Sequence, residues 1–315
     1  MFKRVLVLVG LMVALTLIGS SCVPAKVETA KKEKLVLAVQ PTATPEKLSA
    51  EAKDIEAFLE AEMPNVDIEI VFPTFYGGVI EALRFGHAQA AFLSAWPAAL
   101  ALKNAGAEVV LAEVREVVIG EEKVERPYYF SYWVVLKDSP YTSLEQLRGK
   151  KAAFSSLLST SGYVAPLARL VELGFLKKPE GKAADPNQFF SQSTFAGGYA
   201  QAWEALKQGQ VDVTVIAGDV SEKLYREVLA STRVLEQQGP IPSHAVVFSK
   251  DLAEPMRSQL KNALLELGKP ENRELMRKFI SGIFISFSET TSQEHLGSLT
   301  KFLEMTGLTY TETLK

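Results

Sequence analysis

Two hydrophobic rhythms alternate along most of this chain. Residues 35–39, 90–93 and 245–248 are apolar at almost every position, which suits strands buried on both faces. Residues 66–72 alternate apolar and polar and predict a half-buried strand, while 108–114 and 130–136 predict longer ones. Between these runs, apolar residues recur at helical spacing. Leu48, Ala52, Ile55, Phe58 and Leu59 predict a helix over 48–62, followed by shorter ones over 79–85 and 98–105.

After the turn Asp138-Ser139-Pro140 the pattern restarts. Ser143 caps a short helical piece over 144–147, and 151–154 is a strand. A helix over 164–173, a polar stretch over 177–187, a helix over 200–209, a strand over 211–216 and a helix over 220–225 follow. Val234-Leu235 and 245–248 lead back out, and helices over 254–267, 272–279 and 292–305 close the chain. Such alternation predicts an α/β fold with mainly parallel sheets. The order is half a domain, a whole domain, then the remainder, which predicts two lobes with hinges near 128–136 and 235–248. In numbers, 34–130 with 240–315 form the first lobe and 131–239 the second. Ligands of open α/β sheets bind beyond the carboxyl ends of the strands, so the cleft between the lobes is the expected site.

The first 33 residues break the pattern. Lys3 and Arg4 precede an apolar run over 5–18, then Gly19-Ser20-Ser21-Cys22. A charged start, a short apolar core and small residues describe a signal peptide over 1–21, too short to span a bilayer. Cys22 is the sole cysteine, so no disulfide framework exists. Its setting resembles a bacterial lipoprotein box, with Gly19 where Leu or Val is usual, and implies a lipid anchor on Cys22. Cleavage after Val23-Pro24-Ala25 is the alternative. Residues 22–33, polar and lysine-rich, read as a tether.

Composition excludes some functions. The net charge of −3 gives no reason to expect a nucleic-acid partner. The three histidines, His87, His244 and His295, are scattered without metal-ligand spacing, so no metal or other cofactor is expected. Residues 121–126 (Glu-Glu-Lys-Val-Glu-Arg) read as a solvated loop, and Asp212 as a cap on its strand. The candidate chemistry lies in Ser159-Thr160-Ser161-Gly162-Tyr163, between a strand and a helix. Unsatisfied N–H groups, the helix dipole and short hydroxyls there suit an anion. A plain N-cap is the other reading, and the two are compatible.

Four segments together resemble the extracytoplasmic binding proteins of ABC transporters for phosphonate, phosphite and related phosphorus oxyanions. They are 75–86 (FYGGVIEALRFG), 92–99 (FLSAWPAA), 159–166 (STSGYVAP) and 205–213 (ALKQGQVDV), within a likeness covering roughly 35–308. The resemblance implies a two-lobe, type II-like periplasmic binding protein fold and no enzymatic activity. It implies that Ser159, Thr160 and Ser161 donate to phosphoryl-type oxygens, joined by the Tyr76 phenol, with Trp96 as an apolar wall. Gly197-Gly198-Tyr199 stands where the family has Gly-His-Glu, so one implied anion contact is missing unless the Tyr199 phenol or a backbone N–H such as that of Gly198 replaces the imidazole. Asp219 fills one place where acids meet a ligand ammonium, but His244 fills the other, which disfavours aminoalkyl phosphonates. The implied partners are a small oxyanion and ABC permease subunits, with the protein a monomer secreted across the cytoplasmic membrane, either periplasmic or lipid-anchored on the outer face of the membrane. An enzyme on the same fold acting on a phosphorylated small molecule, and a sensory ligand-binding subunit, are the alternatives. Against the enzyme, no nucleophile and base stand near each other in sequence.

Overall fold

A computed structural model describes residues 32–40, 45–178 and 180–309, without the side chains of 45–48 and 76. The signal segment, Cys22 and nearly all of the tether lie outside the described residues. The chain enters through β1 (Glu33–Val39), α1 (Pro45–Glu62), β2 (Val66–Val71) and α2 (Tyr76–Arg84). It continues through β3 (Ala90–Leu93), α3 (Ala95–Ala105), β4 (Glu108–Ile119) and β5 (Glu122–Arg126). Crossing over, it forms β6 (Tyr128–Leu136), β7 (Lys151–Phe154), α4 (Ala165–Glu172) and β8 (Gln192–Phe195). Then come α5 (Tyr199–Lys207), β9 (Val213–Ala217), α6 (Glu222–Ser231) and β10 (Thr232–Pro242). It returns through β11 (Ala245–Phe248), α7 (Met256–Leu267), α8 (Arg273–Phe279), β12 (Phe284–Glu289) and α9 (Ser292–Thr306).

Among the described residues these strands make two sheets flanked by helices. One runs β12-β4-β11-β3-β1-β2 with β5 beside β4; the other runs β10-β6-β9-β7-β8. Parallel pairing is confined to β1 with β2 and β3, and to β7 with β8 and β9. The strands that cross over or return, β4, β6, β10, β11 and β12, pair antiparallel, so each sheet is mixed around a parallel centre. The charged run at 121–126 is no loop. It folds back as β5, a mostly exposed hairpin strand on β4. Strand β12, whose buried phenylalanines pack beneath α7 and α8, and the short β8 had no apolar run long enough to announce them.

One apolar cluster runs from the first sheet through α3 and α9 into the second, by way of Trp96, Tyr163, Leu296 and Leu299. Helix α9 is fixed at its start by a capping box: Thr291 Oγ1 accepts from Glu294 N at 3.2 Å, and Glu294 Oε2 from Thr291 N at 3.1 Å. Gly307, at φ 66°, ends it in the left-handed conformation that glycine adopts without strain. Among the described residues no helix is long and apolar enough to cross a membrane.

Candidate functional site

The loops that follow β3, β7, β8 and β9 meet between the sheets, supplying Trp96, Thr160, Tyr199 and Asp219. After β7 the chain turns through residues 155–159 and enters a wide π turn, Thr160–Val164, before α4 proper begins. Ser159 caps that turn. Its Oγ accepts from Gly162 N at 2.9 Å, and its carbonyl takes both Tyr163 N and Val164 N. Gly162 is dictated by close approach. A Cβ there would overlap Ser155 Oγ and come within 2.8 Å of Ser155 Cβ.

Ser161 Oγ lies between two phenols. Tyr129 O–H, from β6, donates to it at 3.0 Å, and Tyr199 Oη, from the first residue of α5, is 2.6 Å away. Burial drives both phenols above their ordinary range, so they stay protonated and able to donate. Thr160 Oγ1 accepts from Trp96 N at 3.2 Å, bringing the first turn of α3 against the hydroxyl loop. Thr160 and Ser161 are 5% and 4% exposed. The centre is thus a nearly sealed knot of neutral donors at two helix N-termini, with the polarity that favours an anion.

Three expected residues therefore come together directly: Thr160, Ser161 and Tyr199. Ser159 serves first as the cap. Gly198 precedes α5 in extended backbone, φ 175°, with no strain. Trp96 contributes its backbone N–H, while the residue is buried in the main cluster and lines a groove between α3 and α9. Tyr76 opens α2, and its side chain lies outside the described residues.

A charged cluster borders this knot, joining the expected Asp219 and His244 to two residues that were not expected, Glu113 and Arg115. Arg115, on β4, is 3% exposed. Its Nε and Nη2 both reach Glu113 Oε2, at 2.8 and 2.7 Å, and its Nη1 reaches Asp219 Oδ2 at 3.4 Å. Burial would lower the guanidinium's proton affinity, but Glu113 and Asp219 outweigh it and raise it. Asp219 is raised as well, since burial outweighs the guanidinium it shares with Glu113. His244 is held far below its usual value by burial, then by Arg115 and His295, and stays uncharged. Sequence reasoning ended this strand at residue 114, one short of Arg115. The available signal was two opposite charges at i and i+2, on the strand face otherwise made of Val109, Leu111, Val117 and Ile119.

A profile describing the periplasmic substrate-binding protein of phosphonate ABC transporters matches residues 37–294. The chain belongs to that family. Over 181 residues it is 29% identical to the phosphate-import protein PhnD of Mycolicibacterium smegmatis, a match covering 57% of this chain and 54% of that one. Over 224 residues it is 25% identical to the phosphonates-binding periplasmic protein of Escherichia coli, covering 68% and 61%. The matches thus span less than two thirds of either relative's length. In fold it is similar to a binding-protein component of an ABC phosphonate transporter from Pseudomonas aeruginosa. That likeness has a TM-score of 0.64 at 18% identity and covers 87% of each chain.

Proposed function

We propose that this protein is the extracytoplasmic solute-binding component of an ABC importer and captures a small phosphorus oxyanion: a phosphonate, phosphite or a phosphate-like ion. The bond from Trp96 N to Thr160 Oγ1 carries the reading, because it places donors from both sheets on one hydroxyl loop. An anion held by Thr160, Ser161, Tyr199 and the adjoining helix termini touches both lobes only when they are closed. It therefore shifts the population toward the closed form, which the permease subunits receive. The lobes are 34–130 with 240–315, and 131–239. Residues 1–21 direct export, Cys22 carries the lipid, and the soluble body works as a monomer. A single acyl chain gives only weak, reversible membrane attachment.

Selectivity follows from the charged border. The Asp219 carboxylate faces Arg115, and a ligand ammonium placed there would meet the guanidinium as well. His244, uncharged, offers no counter-ion. Simple alkyl phosphonates or phosphite are favoured over aminoalkyl phosphonates.

Calorimetric titration of the mature protein with phosphite, phosphate, methylphosphonate and an aminoalkyl phosphonate tests both statements. Binding of none of them ends the proposal. An aminoalkyl compound bound about tenfold tighter than the rest, roughly 1.4 kcal/mol, ends the selectivity argument alone.

A further inference from the structure

The wall beside the hydroxyl knot holds one carboxylate more than it has cations. Glu113 is fully buried and takes both Nε and Nη2 of Arg115 on one oxygen. Its other oxygen, Oε1, is buried without a hydrogen-bond partner. That leaves Asp219, its side chain 12% exposed, with a single long contact to Nη1.

The remaining ionisable groups offer no compensating charge. From β6 comes the neutral phenol of Tyr129, and from α5 that of Tyr199. The segment between β10 and β11 brings His244, and α9 brings His295; burial keeps both imidazoles uncharged. Lys123, on the β4–β5 hairpin, is committed to Glu116 and Glu222. An anion entering the knot adds a further negative charge next to this surplus.

Tyr129 sharpens the conflict. Its phenol lies between Ser161 and Asp219 and has one hydrogen to give. That hydrogen is given to Ser161, on the ligand side, and is not available to Asp219.

We propose that the Glu113–Arg115–Asp219 cluster makes oxyanion capture proton-coupled: the cleft takes up the anion together with one proton, held between Asp219 and the nearest ligand oxygen. The proton comes from the solvent or arrives on the ligand's own acidic hydroxyl, and no electrons are exchanged. Asp219 and the ligand oxygen then make one short O–H···O contact in place of a clash between two anions. Glu113 and Arg115 act through Asp219 as positioning residues, with Glu113 withholding the guanidinium. The inference rests on the binding function proposed above.

The test is calorimetry of the mature protein with methylphosphonate near pH 9, where the free ligand is a dianion, repeated in buffers of different ionisation enthalpy. Wild type is expected to take up about one proton per ligand, with affinity falling about tenfold per pH unit in this range. Asp219→Asn is expected to bind with little or no uptake and a flat pH profile, because its amide donates without a proton. Glu113→Gln frees Arg115 for Asp219 and is expected to cut the uptake by about half or more, a readout that stands even if Asp219→Asn folds poorly. Tight wild-type binding without proton uptake overturns the proposal and leaves the binding function intact, as does full uptake in a folded Asp219→Asn. Absence of binding at any pH removes both.

Discussion

Trp96 N and Thr160 Oγ1, 64 residues apart in sequence and contributed from different sheets, are 3.2 Å apart. The amide belongs to the first turn of α3 and the hydroxyl to the first turn after β7, so two helix N-termini converge on one side chain. Each terminus brings N–H groups that its own helix cannot satisfy and a partial positive charge. Neutral donors of this kind can replace the water stripped from an anion without adding a buried cation.

Thr160→Val tests that convergence. The shape is kept, but Trp96 N loses this acceptor and the ligand loses a donor, at a cost of about 1–3 kcal/mol. Affinity for methylphosphonate is expected to fall about tenfold or more, with Thr160→Ser retaining most of it. An unchanged dissociation constant in the valine variant would take Thr160 out of the site.

Tyr199 should matter for binding more than for folding. Tyr199→Phe removes the phenol 2.6 Å from Ser161 Oγ but leaves Tyr129 as a partner for that hydroxyl. The melting temperature is expected to move by no more than about 4 °C, since one hydrogen bond nets about 1 kcal/mol. Affinity is expected to drop about fivefold to tenfold. A large fall in melting temperature with affinity preserved would make Tyr199 a packing residue.

Much of this arrangement is legible in the sequence because it is written locally. Buried strands such as 35–39 and 90–93 advertise themselves by unbroken apolar runs, and the hydroxyl loop by three consecutive hydroxyls before a glycine. What escapes local reading depends on distant partners. Strand β5 carries charges at nearly every position and exists because β4 offers it an edge. Arg115 is buried because Asp219, 104 residues later, and Glu113 meet it inside the fold. Trp96 looks like a ligand wall by type, but the bond from its amide to Thr160 Oγ1 depends on a partner 64 residues away.

Gly162 offers a test of the loop's close packing. Gly162→Ala forces the new methyl into Ser155 Oγ, and the π turn cannot keep its path without moving that side chain. Overpacking of this kind costs about 1–3 kcal/mol, a loss of roughly 2–10 °C in melting temperature, and affinity should fall with it. Adding Ser155→Gly removes the two nearest obstructing atoms, leaving Ser159 Oγ at 2.9 Å, and is expected to recover more than half of the loss. Simple additivity of the two changes would show that the residues do not compete for space.

The buried histidines predict how stability responds to acid. Burial lowers His295, and the Ser243 carbonyl, 3.0 Å from its Nε2, works the other way without overcoming it. In the unfolded chain a histidine titrates near 6.5. Between the folded value and that one the unfolded chain binds more protons, so stability is lost as pH falls below about 6.5. His295→Gln retains an N–H for the Ser243 carbonyl and removes the titration. Wild type is therefore expected to lose more melting temperature between about pH 7.5 and pH 5 than the variant loses. Asp219 contributes with the opposite sign, because its folded carboxyl is raised and holds its proton more tightly than the unfolded one. That contribution is common to both proteins and cancels in the comparison. Melting temperatures that fall in parallel would show that the His295 ring stays as easily protonated in the fold as outside it.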